Sequence, residues 1–128
     1  MDAIEFGLPG LLGIVSHGQG EGWCALSLRL AETHRAANGY LHAGTLVTLA
    51  DTACGFGCVA SMPEGGAGFT TIELKSNFLG SARDGVIRCR AEADHLGRTT
   101  QVWSATVVHE ETGKSLALFR CTQLILRP

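Results

Sequence analysis

Along most of this chain apolar and polar residues alternate at every second position. The stretch "GWCALSLRLAETH" sets Cys24, Leu26, Leu28 and Leu30 against Trp23, Ala25, Ser27 and Arg29, the period of a strand with one buried face. The same period returns in "TTIELKSNFL", where Ile72, Leu74, Ser76 and Phe78 alternate with Thr71, Glu73, Lys75 and Asn77. It continues in "GVIRCRAEAD", with Ile87, Cys89, Ala91 and Ala93 against Arg88, Arg90 and Glu92. "TTQVWSATVVH" and "SLALFRCTQLILR" complete the set, with turns at "LGR" and "EETGK". Turns this short predict that consecutive strands pair as an antiparallel meander. The glycine-rich start, to about Gly20, predicts a short helix followed by an edge strand.

The alternation breaks between Gly44 and about Ala60, a run of Leu, Val, Ala, Thr, Cys, Phe and Gly. That run predicts one long helix, ended by "PEGGAG" and preceded by the loop "RAANGYLHAG" with its Asn-Gly turn. A helix with no polar face must be covered on most sides. A single curved antiparallel sheet wrapped around a central helix does this, so the expected class is α+β. With no repeats or linkers, residues 1–128 are expected to form one domain.

Composition narrows the function. The chain is 45% hydrophobic and 17% charged, with net charge −2 and no basic block. This argues against nucleic-acid binding as the main job, because neutralising phosphates requires clustered Lys and Arg. So few charges on a small domain point to surface covered by another subunit. No apolar run reaches the ~20 residues of a membrane span, and the acidic start is unlike a signal peptide. A cytoplasmic protein is expected. The five cysteines are odd in number, widely spaced and without a CxxC, so packing is expected rather than disulfides or a metal site. His17, His34, His95 and His109 fall in predicted turns or strand ends and are expected to be solvated.

One residue breaks the apolar helix: Asp51 carries a full charge between Ala50 and Thr52. Taking an unpaired carboxylate out of water costs several kcal/mol. The group therefore needs either a structural partner or a chemical purpose. At the helix start, "LHAGT" offers unpaired N–H groups and the positive end of the helix dipole, where negative charge can develop. Ala43 and Gly44 are small enough for a ligand to approach that backbone. An anion-stabilising helix end plus a carboxylate is the equipment of acyl transfer. Gly44 and Asp51 are seven residues apart, ~10 Å along the axis. That is too far for one carbonyl to meet both within a single chain. A shared site is expected, with Gly44 of one subunit facing Asp51 of another across antiparallel helices.

The stretch "GYLHAGTLVTLADTACGFGC" resembles the signature of hotdog-fold acyl-CoA thioesterases of the phenylacetate-pathway and hydroxybenzoyl-CoA types. Gly39, His42, Gly44, Leu49, Ala50, Asp51, Thr52 and Ala53 match at the family spacing. "TTIELKSNFLGSA", "LGRTT" and "TGKSLA" extend the likeness from about Leu11 to Leu126. The resemblance implies a hotdog fold and a homodimer with shared sites, usually a dimer of dimers, acting on an acyl-CoA substrate without metal or other cofactor. It implies Asp51 as catalytic carboxylate, either nucleophile or general base, and Gly44 as the oxyanion-hole N–H. His42 would shape that loop, and Thr71 would position water. Phe78, Leu79, Gly80, Ser81 and Arg83, with Gly97, Arg98 and Thr99, would line the pantetheine and nucleotide path.

Two departures stand out. Ala43 replaces the first glycine of the family's H-G-G pattern. Ala36 stands six residues before His42, where the family commonly has Asn. Either Asn38 substitutes through a loop shift, or that contact is missing. A small, medium-chain or aromatic acyl-CoA is the expected substrate class. The alternatives are a non-catalytic acyl-CoA or acyl-carrier binder and, less well matched, a hotdog hydratase or dehydratase.

Overall fold

The computed structural model describes residues 1–128. Seven strands form one antiparallel sheet: β1 (Asp2–Ala3), β2 (Val15–Gly20), β3 (Trp23–Arg29), β4 (Gly68–Phe78), β5 (Val86–Leu96), β6 (Thr100–His109) and β7 (Ser115–Leu126). A short helix, α1 (Gly7–Leu12), precedes β2, and α2 (Ala43–Ala60) lies between β3 and β4. α2 packs against β2 through β7, so the sheet wraps the helix as its missing polar face requires.

The strand order is β1-β2-β3-β5-β6-β7-β4. This corrects the expected meander. β5, β6 and β7 follow one another as hairpins, but β4 leaves its sequence neighbour and pairs with β7. α2 ends beside the start of β3, where Ser61 Oγ accepts from the Gly22 N–H. Ala67 then donates to Leu126 O, which sets β4 on the far edge. Residues 79–85 carry the chain back to β3, where Leu30 N–H meets Gly85 O. That connection is a crossover, whereas the other two turns are tight.

A second correction concerns β4. Thr71 lies opposite Gln123, Glu73 opposite Thr122 and Leu74 opposite Cys121, so Ile72 is the extra residue of a β-bulge. Simple alternation put Thr71 with Glu73 on the face away from Leu74. The bulge places Thr71 and Leu74 on the same face, toward α2.

The core lies between α2 and the sheet, with Leu26, Leu28, Leu49, Ile87, Trp103, Val107 and Leu116 among its fully covered side chains. Close approach depends on small helix residues. A Cβ on Gly57 would come within 2.5 Å of the Trp103 ring. All five cysteines are free and buried, as packing residues should be. By composition α2 resembles a membrane span, with mean hydropathy 1.3 over 18 residues, but it is the core helix here.

The two sheet edges differ. β1 has 2 residues, while β4 has 11 and bears Ile72, Leu74 and Phe78 at 55%, 44% and 48% exposure. A long apolar edge of this kind is a template for pairing.

Candidate active site

Asp51 lies mid-way along α2, half-buried, with its carboxyl toward β4. Burial pushes its pKa above the usual carboxylate range, and a hydrogen bond from Thr71 acts in the opposite direction. It belongs to none of the four ion pairs. The bulge in β4 aims Thr71 at it, with Thr71 Oγ1 3.3 Å from Asp51 Oδ1. Thr71 Oγ1 also lies 2.6 Å from Gln123 Oε1 on β7. Alternation in the sequence missed this contact because it put Thr71 on the wrong face.

At the start of α2, His42 is the N-cap, and the Gly44 N–H donates to its Nδ1 at 2.7 Å. The amide expected to polarise a carbonyl is thus occupied by its own cap. A ring that accepts at Nδ1 carries its hydrogen at Nε2 when neutral. His42, Ala43 and Gly44 are all exposed. A carbonyl arriving at Gly44 must displace the imidazole or share the amide with it, and the Nε2–H is a second donor at the same place.

The loop before α2 is tied down locally. Asn38 Oδ1 accepts from the Tyr40 N–H in a turn with Gly39 at φ 85°. Asn38 is therefore used within its own loop, and the place six residues before His42 holds only the methyl of Ala36. Arg83 donates to Gly39 O at 3.3 Å and stacks 5.2 Å from the Tyr40 ring centroid. Arg35 donates to Arg83 O at 2.7 Å, and Lys114 lies against Gly80. Arg35, Arg83 and Lys114 put three cations at this end of the helix, with Asp84 and Glu111 close by. Arg35 and Lys114 were not singled out from the sequence because no motif marks them. Phe78, Leu79 and Ser81 are exposed beside this cluster, at the end of β4.

His34 corrects an expectation. It is 3% exposed, and its ring bridges Leu12 O at 2.7 Å and the Ala31 N–H at 2.9 Å. Its carbonyl accepts from the His42 N–H and the Thr45 hydroxyl, so it anchors α1 and the start of α2 together.

Gly97, Arg98 and Thr99 lie elsewhere. Arg127 clamps Arg98 O and Glu64 O, and Ile125 N–H bonds Thr99 O, which puts this turn beside the C-terminal end of α2. Along the 18-residue helix that is about 27 Å from the His42 end. A single chain therefore brings Asn38, His42, Gly44, Phe78–Ser81 and Arg83 toward one end of α2, places Asp51 and Thr71 at its middle, and puts Gly97–Thr99 at the other end.

Residues 38–116, which hold the whole helix motif, match the thioesterase superfamily. A 1,4-dihydroxy-2-naphthoyl-CoA hydrolase of Listeria monocytogenes is 34% identical over 91% of this chain and 93% of its own. Among solved structures, a thioesterase of Haemophilus influenzae superposes with a TM-score of 0.82 at 28% identity, covering 91% of this chain and 80% of its own. A conserved protein of Pseudomonas aeruginosa superposes with a TM-score of 0.83 at 30% identity, covering 91% of this chain and 90% of its own. The sheet wrapped on one helix is the hotdog fold, the helix motif matches at the family spacing, and the chain belongs to the thioesterase superfamily.

Proposed function

We propose that this chain hydrolyses an aromatic acyl-CoA thioester with Asp51 as its catalytic carboxylate. The observation that carries the proposal is Asp51 itself. It is half-buried, without a cation, and bonded by a hydroxyl in a helix that is otherwise apolar. The aromatic acyl group is favoured by the likeness to the naphthoyl-CoA hydrolase.

The site is completed by a second copy. Two β4 edges pair antiparallel and cover Ile72, Leu74 and Phe78, and the α2 helices lie side by side in opposite directions. Gly44 of one protomer then faces Asp51 of its partner, and Gly97–Thr99 of the partner joins the end where Arg83 lies. Two such dimers form the tetramer. The thioester carbonyl sits at the start of α2, polarised by the Gly44 N–H and the helix dipole. Asp51 attacks the carbonyl carbon, or removes a proton from water that does. Arg35, Arg83 and Lys114 hold the CoA phosphates, and no further cofactor takes part. Five reduced thiols suit a cytoplasmic location.

The test is thiol release across short, long and aromatic acyl-CoAs, with Asp51→Asn beside the parent chain. The substitution is expected to lower kcat by roughly a thousandfold. Near-normal hydrolysis by Asp51→Asn sinks the assignment. CoA-ester affinity without thiol release from the parent chain identifies a binding protein instead.

A further inference from the structure

Two glutamines stand side by side in the core. Gln101 and Gln123 are cross-strand partners on β6 and β7, both 0% exposed. Gln101 is satisfied at both ends: its Oε1 accepts from Trp103 Nε1 at 2.8 Å and its Nε2 donates to Ser61 O at 3.0 Å. Gln123 is satisfied at one end only. Its Oε1 meets Thr71 Oγ1 at 2.6 Å, and its buried Nε2 has no partner. An orphaned buried N–H is rare and costly, more so than an under-used carbonyl.

The hydrogen count at Thr71 shows what Gln123 can do. Thr71 has one hydroxyl hydrogen and two acceptors, Gln123 Oε1 at 2.6 Å and Asp51 Oδ1 at 3.3 Å. It cannot serve both. If Asp51 carries a proton, both Thr71 contacts are made: Asp51 donates to Thr71, and Thr71 donates to Gln123 Oε1, with Gln123 Nε2 left orphaned. If Asp51 is ionised, the carboxamide must turn over. Gln123 Nε2 then donates to Thr71, Thr71 donates to Asp51, and the orphaned atom becomes the carbonyl, which tolerates it better.

We propose that Gln123 is a positioning residue, the fixed end of a chain Gln123–Thr71–Asp51 whose hydrogen bonds reverse direction as Asp51 gains or loses a proton. The proton that Asp51 loses passes to solvent, and no other bond to hydrogen breaks. The carboxamide rotates and the hydroxyl turns. The ionised arrangement ends on the less costly orphan, so Gln123 favours the carboxylate against the effect of burial. The titratable group that faces Asp51 is the Cys54 thiol one turn on, and behind Cys54 stand the thiols of Cys121 on β7, in contact with it, and Cys89 on β5. Glu73, Lys75 and Arg120 on β4 and β7 stand on the other face of the sheet.

This inference rests on Asp51 as the catalytic carboxylate, and NMR separates the two. In the substrate-free parent chain, the Asp51 carboxyl carbon and the Gln123 side-chain amide are followed through a pH titration. The amide is expected to move with the Asp51 midpoint and to stay flat in Asp51→Asn. A Gln123 amide that is flat in the parent chain overturns the proposal. Gln123→Met is expected to raise the Asp51 midpoint and to cut kcat/KM by up to about tenfold on the acid side, the size of one neutral hydrogen bond. In a Thr71→Val background, which already cuts the chain, the same change is expected to add nothing. Additive midpoint shifts overturn the proposal. If Asp51→Asn stays active while the amide titrates with Asp51, the chain stands and the catalytic assignment falls. If Asp51→Asn is inactive and the amide is flat, the chain falls alone.

Discussion

His42 has a capping role and, in the proposed reaction, a second role toward the carbonyl, and substitution can separate them. Its Nδ1 caps α2 through the Gly44 N–H, and its Nε2–H is free to meet a carbonyl. Asn is as good an N-cap as any residue, so His42→Asn is expected to keep the melting temperature within about 2 °C while lowering kcat/KM by about tenfold or more. His42→Ala is expected to lose about 1 kcal/mol of stability as well, measured by denaturant unfolding. Asp51 has a stability signature too. Folding raises its pKa, so the carboxyl binds its proton more tightly in the folded chain than in the unfolded one. Its contribution is fully present below the ordinary carboxylate range and is lost as pH rises through the raised folded value. Asp51→Asn is therefore expected to melt higher than the parent at pH 7, with the gain fading toward pH 4 in calorimetry. A gain that grew toward acid would contradict the burial argument. Both residues were legible in the sequence, as a lone charge in an apolar run and a histidine before a small-residue helix start. Gln123 carried a similar signal, a single carboxamide in the inward row Phe119, Cys121, Gln123 and Ile125. That signal is weaker because Gln is neutral and its partner Thr71 was assigned to the other face.

α2 is the element on which the site depends, and its small residues set how closely it approaches the sheet. Ala is a better helix former than Gly by about 1 kcal/mol. Gly57→Ala should nevertheless destabilise by about 2 kcal/mol, because the new Cβ would lie 2.5 Å from the buried Trp103 ring. Urea unfolding measures this, and a stabilised variant would show that the ring can move. β4 teaches the complementary lesson. Its existence and length follow from alternation, but its position and its bulge do not. Period-two patterning reports which faces are apolar, not which strand lies alongside or where a residue is inserted.

The whole molecule carries an unfinished surface. β4 ends the sheet with a long apolar edge, and Asp51 and Gly44 stand seven residues apart on α2, ~10 Å along its axis. In the proposed dimer, pairing two β4 edges answers both, so assembly and activity should fail together. Leu74→Lys places a charge in the middle of that seam. It is expected to give the 13.5 kDa monomer in light scattering and to lose thiol release, with the fold retained by circular dichroism. A monomer that keeps full activity would refute the shared site.

The sequence alone determined the central helix, the curved sheet around it, the carboxylate at Asp51 and the helix start at His42 and Gly44. Each is a local matter of periodicity, charge and turn chemistry, or of a motif contiguous in the chain. Only the tertiary structure decided that β4 pairs with β7, that a bulge turns Thr71 toward Asp51, that His42 closes the Gly44 amide, and that Gln123 stands behind Thr71. These are contacts between residues as far apart in the sequence as Thr71 and Gln123. Packing brings such residues together, and local periodicity along the chain does not report which packing will do so.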